Sequence, residues 1–302
     1  MNIYKPLIGL YWKIISVIDN KRIAAQIPDS GVVSVIDLPY TKSGISEHML
    51  DIYYPENTSQ PLPVIIDIHG GGWIYGCKEI NRNFCLRLAK KGFIVASINY
   101  RPVGKHLIHH QIEDVFSALN WLGENLNEYP ADMSSVFLLG DSAGGQLACL
   151  SAAIMSDKKL QGEFNVTMPS FKISAVGAIS PAVNLLCRNF LLYVKLPSLL
   201  GKKHKDSRYY KYMNFACAAV DTLPPFYIVT SAGDFLNKQV YMLAEILKSH
   251  NIPYRLHDYD KAHGGKKLPH VFAISDPYSQ QAGEVIGELK DFFYSNIKHI
   301  KI

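Results

Sequence analysis

The sequence predicts an α/β fold with a mostly parallel central sheet flanked by helices. Short apolar runs, typical of strands covered on both faces, alternate with segments whose apolar residues recur at helical spacing. A Gly-Asp-Ser-Ala-Gly turn at residues 140–144 lies between such a run and a helical pattern. Only residues 184–223 form a long stretch without strand signals. We therefore expect one domain over residues 1–302, with the inserted stretch as a cap over the strand ends.

Composition and charge narrow the class of protein. The chain is 48% hydrophobic and 19% charged, which favours a large packed core over disorder. The net charge of +5 is mild and its lysines lack interleaved aromatic residues, so we expect no nucleic-acid partner. Five cysteines at irregular spacing favour reduced thiols and a cytoplasmic location. The apolar run at residues 6–17 is too short to span a bilayer and predicts an amphipathic helix, with membrane-surface contact as the alternative.

The strand patterns follow one another along the chain. Residues 32–40 and 48–54 alternate between apolar and polar side chains around Gly44, which predicts an antiparallel hairpin. More continuous apolar runs predict buried strands at residues 64–68, 93–98, 135–139, 175–180, 226–230 and 254–259. Apolar residues at helical spacing predict helices at the N-terminus and at residues 83–91, 112–126, 146–155, 238–249 and 278–297.

Ser142 is the candidate nucleophile because it stands at the centre of a G-x-S-x-G pattern, after Asp141. The small residues Gly140 and Gly144 leave room in a turn that would hold the serine in a strained backbone conformation. A helix that starts behind the serine favours negative charge beside its Oγ. A tight structural turn without a catalytic role is the alternative.

The His-Gly-Gly-Gly-Trp stretch at residues 69–73 directly follows the strand at residues 64–68. Its glycines, beginning with Gly70, let backbone N–H groups approach a substrate oxygen closely. Three N–H groups are the predicted oxyanion hole: those of Gly71, Gly72 and Ala143. We interpret His69 as a brace for this loop. A glycine turn or a phosphate loop is the alternative, but the chain has no Gly-x-Gly-x-x-Gly or Walker pattern.

A serine nucleophile also needs an acid that orients its base. Asp234 follows the strand at residues 226–230 and is the candidate acid, because the residues after a parallel strand lie at the edge of the sheet where the serine turn is expected. Asp221 precedes the same strand and is therefore expected at the opposite edge.

The base should follow the acid in the chain, and the segment directly after the strand at residues 254–259 holds two candidate histidines. His270 is favoured because the apolar pair after it, Val271 and Phe272, could anchor the backbone and fix the ring. His263 lies among Ala, Gly and Lys residues and is the alternative base.

With these pieces in this order, the chain resembles the α/β-hydrolase superfamily and, more narrowly, the hormone-sensitive-lipase-like esterases (the alpha/beta hydrolase fold-3 group, which includes acetyl esterases). The resemblance runs from about residue 64 to the C-terminus and includes Asn-Tyr-Arg-Pro at residues 99–102. The family pattern of His, one residue and Phe fits His270, whereas its Asp-Pro-Leu is Asp-Phe-Leu here, at residues 234–236. The resemblance also implies a cap built from residues 1–30 and 184–223.

The expected function is that of a serine carboxylesterase acting on short-chain acyl esters through an acyl-enzyme intermediate. This chemistry needs no metal and no organic cofactor, and the expected partner is a small-molecule ester. Alternatives are an amidase, arylformamidase or peptidase on the same fold, and a ligand-binding protein that has lost catalysis. We expect no stable membrane insertion, and a homodimer through an edge strand or the cap is compatible with the sequence.

Overall fold

The computed structural model describes residues 4–187, 190–259 and 267–297 of the chain. Its strands all belong to one eight-stranded sheet. In chain order they are β1 (Val32–Pro39), β2 (Met49–Pro55), β3 (Leu62–Ile68), β4 (Ile94–Ile98), β5 (Ala131–Asp141), β6 (Ile173–Ile179), β7 (Phe226–Ser231) and β8 (Tyr254–Tyr259).

The order of the strands in the sheet is β1-β2-β4-β3-β5-β6-β7-β8. Strand β2 runs antiparallel to both of its neighbours, and every other neighbouring pair is parallel. The predicted α/β class and its opening hairpin are therefore confirmed. Strands β3 and β5 are neighbours, and Ile68 pairs with Gly140 at their carboxyl ends. The sheet thus brings the glycine loop and the serine turn side by side.

The helices lie on both faces of this sheet. In chain order they are α1 (Tyr4–Ala25), α2 (Arg82–Ala89), α3 (Ile108–Asn125), α4 (Ser142–Ser156), α5 (Lys158–Phe164), α6 (Phe190–Tyr193), α7 (Leu196–Leu200), α8 (Asn237–Ser249), α9 (Phe272–Ser275) and α10 (Gln280–Ser295). The sequence patterns did not predict α5 or α9, which have only seven and four residues. Within the described ranges, no helix is both long and apolar enough to cross a membrane.

Strand β5 shows why continuous apolar runs predict this sheet. Its successive side chains enter two different cores: Leu138 packs in one, whereas Phe137 and Leu139 pack in the other. All three side chains are fully buried. The ring of Phe137 stacks on that of Phe293 of α10, with centroids 4.3 Å apart. A strand with helices on both faces needs apolar side chains at every position, not at alternate ones.

Helix α4 begins earlier than its apolar pattern predicts. The pattern starts at Gln146, but the helix starts at Ser142, directly after β5. The reason is that Gly144 and Gly145 occupy buried positions against neighbouring backbone and side chains, so they add no apolar side chain to the pattern.

In the stretch between β6 and β7, the described residues form short helices and turns and no strand, as expected. Helices α6 and α7 are followed by three 3₁₀ turns, at His204–Asp206, Tyr210–Met213 and Phe215–Cys217. Leu196 and Leu199 of α7 are fully buried, so this segment is packed onto the body of the protein. Its role as a cap stays a prediction.

Candidate active site

The turn at Ser142 is strained and closely packed. Ser142 has a φ angle of 52°, which confirms the expected strain, because an L-residue other than glycine rarely adopts a positive φ. A Cβ on Gly144 would lie 1.9 Å from the carbonyl oxygen of Ile68. A Cβ on Gly140 would lie 2.4 Å from the carbonyl oxygen of Gly144. Only glycine fits at these two positions, so the backbones of β3 and α4 can come close beside the serine.

Three side chains from distant parts of the chain form one line of hydrogen bonds. Nε2 of His270 lies 2.9 Å from Oγ of Ser142. Nδ1 of His270 lies 2.7 Å from Oδ1 of Asp234. A carboxylate can only accept, so the ring donates through Nδ1 and its Nε2 is free to accept from the serine hydroxyl. The structure thus brings together the predicted nucleophile, base and acid.

Asp234 is held as an anion at the end of β7. Its side chain is fully buried and accepts hydrogen bonds from Oγ1 of Thr230 at 3.2 Å and from the N–H of Leu236 at 2.8 Å. Burial raises the pKa of Asp234, but the hydrogen bond and charge of His270 outweigh it, so the pKa lies below its ordinary value. The carboxylate therefore stays ionised at neutral pH beside the imidazole.

The segment that carries His270 is fastened to the end of β7. Pro269 forms a β-bridge with Gly233, and Oγ of Ser231 donates a 2.6 Å hydrogen bond to the carbonyl of Leu268. The ring of Phe235 lies 4.3 Å from the ring of His270. The imidazole is thus held from its backbone and from one face, while 18% of its side chain remains exposed.

The other residues weighed in the sequence lie elsewhere. Asp221 accepts a 2.7 Å hydrogen bond from Nδ1 of His250 at the opposite edge of the sheet from Ser142. His263, the alternative base, lies outside the described residues. In the part of the chain that the structure covers, no cluster of three or more His, Cys, Asp and Glu side chains could hold a metal ion.

The glycine loop leaves backbone donors unused. The N–H of Gly70 donates to Oδ1 of Asp141 at 2.9 Å. The next two N–H groups, of Gly71 and Gly72, and that of Ala143 at the start of α4 donate to no acceptor among the described residues. Unused N–H groups beside a serine hydroxyl are the kind of donors that hold a developing oxyanion.

Sequence reasoning missed the buried polar network beneath this loop. The amide of Asn81 donates from Nδ2 to Asp141 at 3.0 Å and to both oxygens of Asp67, at 3.1 and 3.2 Å. Ser97 donates a further hydrogen bond to Asp67. Burial, followed by the charge of Asp141, raises the pKa of Asp67 to about 7. Asp141 therefore joins the serine turn to the glycine loop, and Asn81 ties Asp141 to β3.

His69 braces the loop rather than facing the serine line. Its Nδ1 donates to the carbonyl of Gly70 at 2.7 Å, and its ring stacks on Tyr100 with centroids 4.3 Å apart. The hydroxyl of Tyr100 donates to the carbonyl of His69 at 2.7 Å. Burial lowers the pKa of His69 to about 4, so the ring is neutral at neutral pH.

Trp73 joins the end of the glycine loop to two helices through hydrogen bonds. Its Nε1 donates to Oε1 of Gln146 on α4 at 2.8 Å. Its carbonyl accepts a 2.9 Å hydrogen bond from Nε2 of Gln111 on α3. The indole is 2% exposed, so both bonds are shielded from water and fix the end of the glycine loop.

Two side chains that the sequence did not single out approach the loop from outside the sheet. A Cβ on Gly72 would lie 2.7 Å from Nζ of Lys195 and 2.8 Å from Cζ2 of Trp12. Trp12 comes from α1 and stacks on Tyr75 with ring centroids 5.4 Å apart. Lys195 immediately precedes α7. Both segments expected to form a cap therefore contribute a side chain beside a predicted oxyanion donor.

Comparison with known proteins gives consistent matches. The profile of the BD-FAE family matches residues 50–243. The crystal structure of esterase B from Lactobacillus Rhamnosis (HN001) has a TM-score of 0.91 and 27% identity, over 97% of this chain and 95% of that chain. Carboxylesterase NlhH of Mycobacterium tuberculosis (strain ATCC 25618 / H37Rv) is 33% identical over 115 residues, 38% of this chain and 36% of NlhH. The probable isoprenylcysteine alpha-carbonyl methylesterase ICME of Oryza sativa subsp. japonica is 26% identical over 201 residues, 67% of this chain and 46% of ICME.

The chain spans less than half the length of these two curated relatives. Their names and the likeness to esterase B confirm the resemblance to hormone-sensitive-lipase-like esterases and the α/β-hydrolase fold. The BD-FAE profile covers more than half of the chain. The chain therefore belongs to the BD-FAE family.

Proposed function

We propose that the chain is a serine carboxylesterase that hydrolyses short-chain acyl esters through an acyl-enzyme intermediate. The observation that carries the proposal is the line of hydrogen bonds from Asp234 through His270 to Oγ of Ser142, at 2.7 and 2.9 Å. The names of the relatives, an esterase and a carboxylesterase among them, support the same reaction class.

In the first half of the reaction, Oγ of Ser142 attacks the carbonyl carbon of the ester. The hydroxyl proton passes to Nε2 of His270 as the new C–O bond forms, and the carbonyl electrons move onto its oxygen. Asp234 keeps the ring in the tautomer that accepts at Nε2 and stabilises the imidazolium. When the tetrahedral intermediate collapses, the bond to the alcohol breaks and His270 returns the proton to the leaving oxygen.

In the second half, a water molecule takes the place of the alcohol. His270 accepts its proton while the water oxygen attacks the acyl carbon, and the second intermediate collapses to release the acid and restore Ser142. Ser142 begins α4, whose N-terminus favours negative charge on the serine side of the intermediate.

The N–H groups of Gly71, Gly72 and Ala143 are the proposed donors to the oxyanion. Two observations support this role: none of the three has an acceptor within the described residues, and the loop is fixed at both ends, by Asp141 and by Trp73. Fixed donors need no reorganisation when charge develops, and the loss of one typically costs about 3 kcal/mol of transition-state stabilisation.

The preference for short acyl chains is the finer part of the proposal. It is supported by the closeness of Trp12 and Lys195 to Gly72, because side chains this near the oxyanion loop limit the room around the reacting carbonyl. Trp12 and Lys195 are therefore the side chains proposed to limit the size of the acyl group.

The test is hydrolysis of p-nitrophenyl acetate, butyrate and decanoate by the purified chain. We expect the acetate or butyrate to be the best substrate, and Ser142→Ala and His270→Ala to lower kcat/KM by roughly a thousandfold or more. His263→Ala is the control for the base and should keep most of the activity. A loss on His263→Ala and not on His270→Ala would reassign the base, and equal rates for wild type and Ser142→Ala would refute a serine esterase.

Substrate pairs that differ only in the bond separate an esterase from an amidase. We expect p-nitrophenyl butyrate to be hydrolysed at a kcat/KM far above that of p-nitrobutyranilide, which has the same acyl and aromatic groups. A higher value for the anilide would refute the ester assignment while leaving the nucleophile in place.

A further inference from the structure

The ammonium group of Lys195 lies beside the glycine loop, and none of the residues that the structure describes supplies a counter-ion. It makes no hydrogen bond or ion pair with any described residue. Two indole rings also lie near it: Nζ lies 5.3 Å from the ring centroid of Trp12 and 5.6 Å from that of Trp73. Both distances are within the range of a cation–π contact. The charge therefore sits between two indole rings, against the loop that would hold the oxyanion.

The position of Lys195 is fixed by its backbone. Its N–H donates to the carbonyl of Leu192 at 3.1 Å, and its own carbonyl accepts from the N–H groups of Ser198 and Leu199, at 2.9 and 3.1 Å. Leu199 is fully buried. The residue thus starts a short helix that is anchored in the core, unlike the exposed lysines that follow in the same segment, of which Lys203 is one.

A cation in this place is costly to the free protein. Burial lowers the pKa of Lys195 to about 8, and no charged neighbour contributes to that shift. The side chain is therefore still mostly charged at neutral pH. Cation–π contacts offset only part of the cost of desolvating an ammonium group. Lys195 is only partly buried, and a negatively charged group placed beside it would offset the rest of this cost.

We propose that Lys195 is a specificity-determining residue whose ammonium binds a carboxylate on the substrate. The chain would then favour esters that carry a single negative charge close to the scissile bond, on the acyl or on the alcohol side. A carboxylate fits better than a phosphate, because one lysine supplies one charge and the described residues place no second cation beside it. The inference rests on the proposed esterase function and specifies its substrate class.

The experiment compares two pairs of esters that differ in charge. On the alcohol side, para-acetoxybenzoate is compared with para-acetoxybenzamide. On the acyl side, p-nitrophenyl hydrogen glutarate is compared with p-nitrophenyl pentanoate. The rate with Ser142→Ala is subtracted in each case, because it reports spontaneous hydrolysis. The quantity measured is the ratio of kcat/KM for the anionic ester to that for its neutral partner.

Three variants assign the ratio to the charge of Lys195. Lys195→Met keeps the length of the side chain and removes its charge, whereas Lys195→Arg keeps the charge. Lys203→Met removes a charge from an exposed position of the same segment. Circular dichroism and thermal unfolding verify that each variant is folded.

We expect wild type to favour the anionic ester of at least one pair, and Lys195→Met to lower that ratio by about ten- to a hundredfold, chiefly through KM. Lys195→Arg should restore part of the ratio, and Lys203→Met should leave it at the wild-type value. Equal losses on anionic and neutral esters would overturn the proposal, since Lys195 would then support the oxyanion or the loop. A ratio near one in wild type for both pairs would also overturn it.

The esterase function and the role of Lys195 can fail separately. If wild type hydrolyses neither neutral ester faster than Ser142→Ala, the esterase function itself fails. If it hydrolyses the neutral esters through Ser142 but shows no preference for charge, only the role of Lys195 fails.

Discussion

The residues at the strand ends and the residues predicted to cover them are held in different ways. The strand-end residues (Gly70, Asp141 and Ser142) are fixed by backbone contact and by hydrogen bonds between buried groups. The covering residues (Trp12 and Lys195) are held by ring contacts and by one short helix. The first arrangement tolerates almost no change of shape, whereas the second can change without disturbing the sheet. The contrast suggests that the chemistry resides in the first set and the choice of substrate in the second.

This difference leads us to expect different kinetic effects from changes in the two sets of residues. Changes at the strand-end residues should lower kcat or unfold the protein, because these residues set the geometry of the reacting groups. Changes at the covering residues should act on KM and on the ranking of substrates, because they meet the parts of the substrate that do not react.

The strongest test is to add one methyl group at the serine turn. Gly144→Ala would place a Cβ 1.9 Å from the carbonyl oxygen of Ile68, and backbone cannot give way as a side chain can. We expect a loss of stability of about 3 kcal/mol or more, together with loss of activity, as measured by urea unfolding and ester hydrolysis. Gly162→Ala in α5 is the matched control, because its Cβ would meet nothing within 4 Å. Similar stability of the two variants would contradict the packing account.

Asp141 links the serine turn to the glycine loop, so its removal should lower the rate of the chemical step. Asp141→Ala leaves the N–H of Gly70 without its acceptor and should lower kcat by roughly ten- to a hundredfold while KM changes little. Asp141→Asn keeps an acceptor oxygen and should retain most of the activity. A pure KM effect in Asp141→Ala would contradict the positioning role.

The buried pair of carboxylates should make stability depend on pH. The pKa of Asp67 is raised from an ordinary 3.8 to about 7, so the folded protein binds this proton more tightly than the unfolded chain. The resulting stabilisation is complete below a pH of about 4 and is lost as the pH rises through about 7. We expect Asp67→Asn to flatten the curve of unfolding free energy against pH over this interval by up to about 4 kcal/mol, because each pKa unit corresponds to about 1.4 kcal/mol. The exposed Asp276→Asn is the control, and an unchanged slope in Asp67→Asn would contradict the assignment.

The smallest expected effect is at Trp12. Trp12→Ala removes a ring beside Gly72 and should raise kcat/KM for p-nitrophenyl decanoate relative to acetate by roughly three- to tenfold, through KM. Val17→Ala, at an exposed position of the same helix, should leave the ranking as it is. A fall in kcat for all esters in Trp12→Ala would contradict the claim that the strand-end residues set the rate and the covering residues set the choice of substrate.

The strand-end set was largely predictable from sequence, and the reason is local. Gly140, Ser142 and Gly144 stand in one short turn whose steric requirements exclude other residues, and the apolar runs of β3 and β5 show where the turn must lie. Asp234 follows from its place after β7, whereas chain order left both His263 and His270 as the base, and only the apolar pair after His270 favoured it. The expected helix directly behind the serine is present, but its apolar pattern begins only at Gln146, since buried glycines contribute nothing to an apolar period.

The buried polar network around Asn81 and the two side chains beside Gly72 were not predictable in this way. Asn81 and Asp141 are 60 residues apart, and nothing local to Asn81 distinguishes it from a surface asparagine. Lys195 lies in a segment rich in Leu, Tyr and Lys, where its neighbours in sequence are exposed or apolar. Trp12 belongs to helix α1, and no sequence pattern shows which surface this helix packs against. Each depends on contacts between distant parts of the chain, which are only fixed by the folded structure.

Covalent labelling tests directly whether Ser142 is a nucleophile activated by His270. The purified chain is treated with a p-nitrophenyl alkylphosphonate, a reagent that phosphonylates activated serines, and the product is analysed by intact mass and peptide mapping. We expect one adduct in the wild-type protein, on the peptide that contains Ser142. Ser142→Ala should form no adduct, and His270→Ala should react far more slowly. No adduct in folded wild-type protein, or an adduct on another residue, would contradict it.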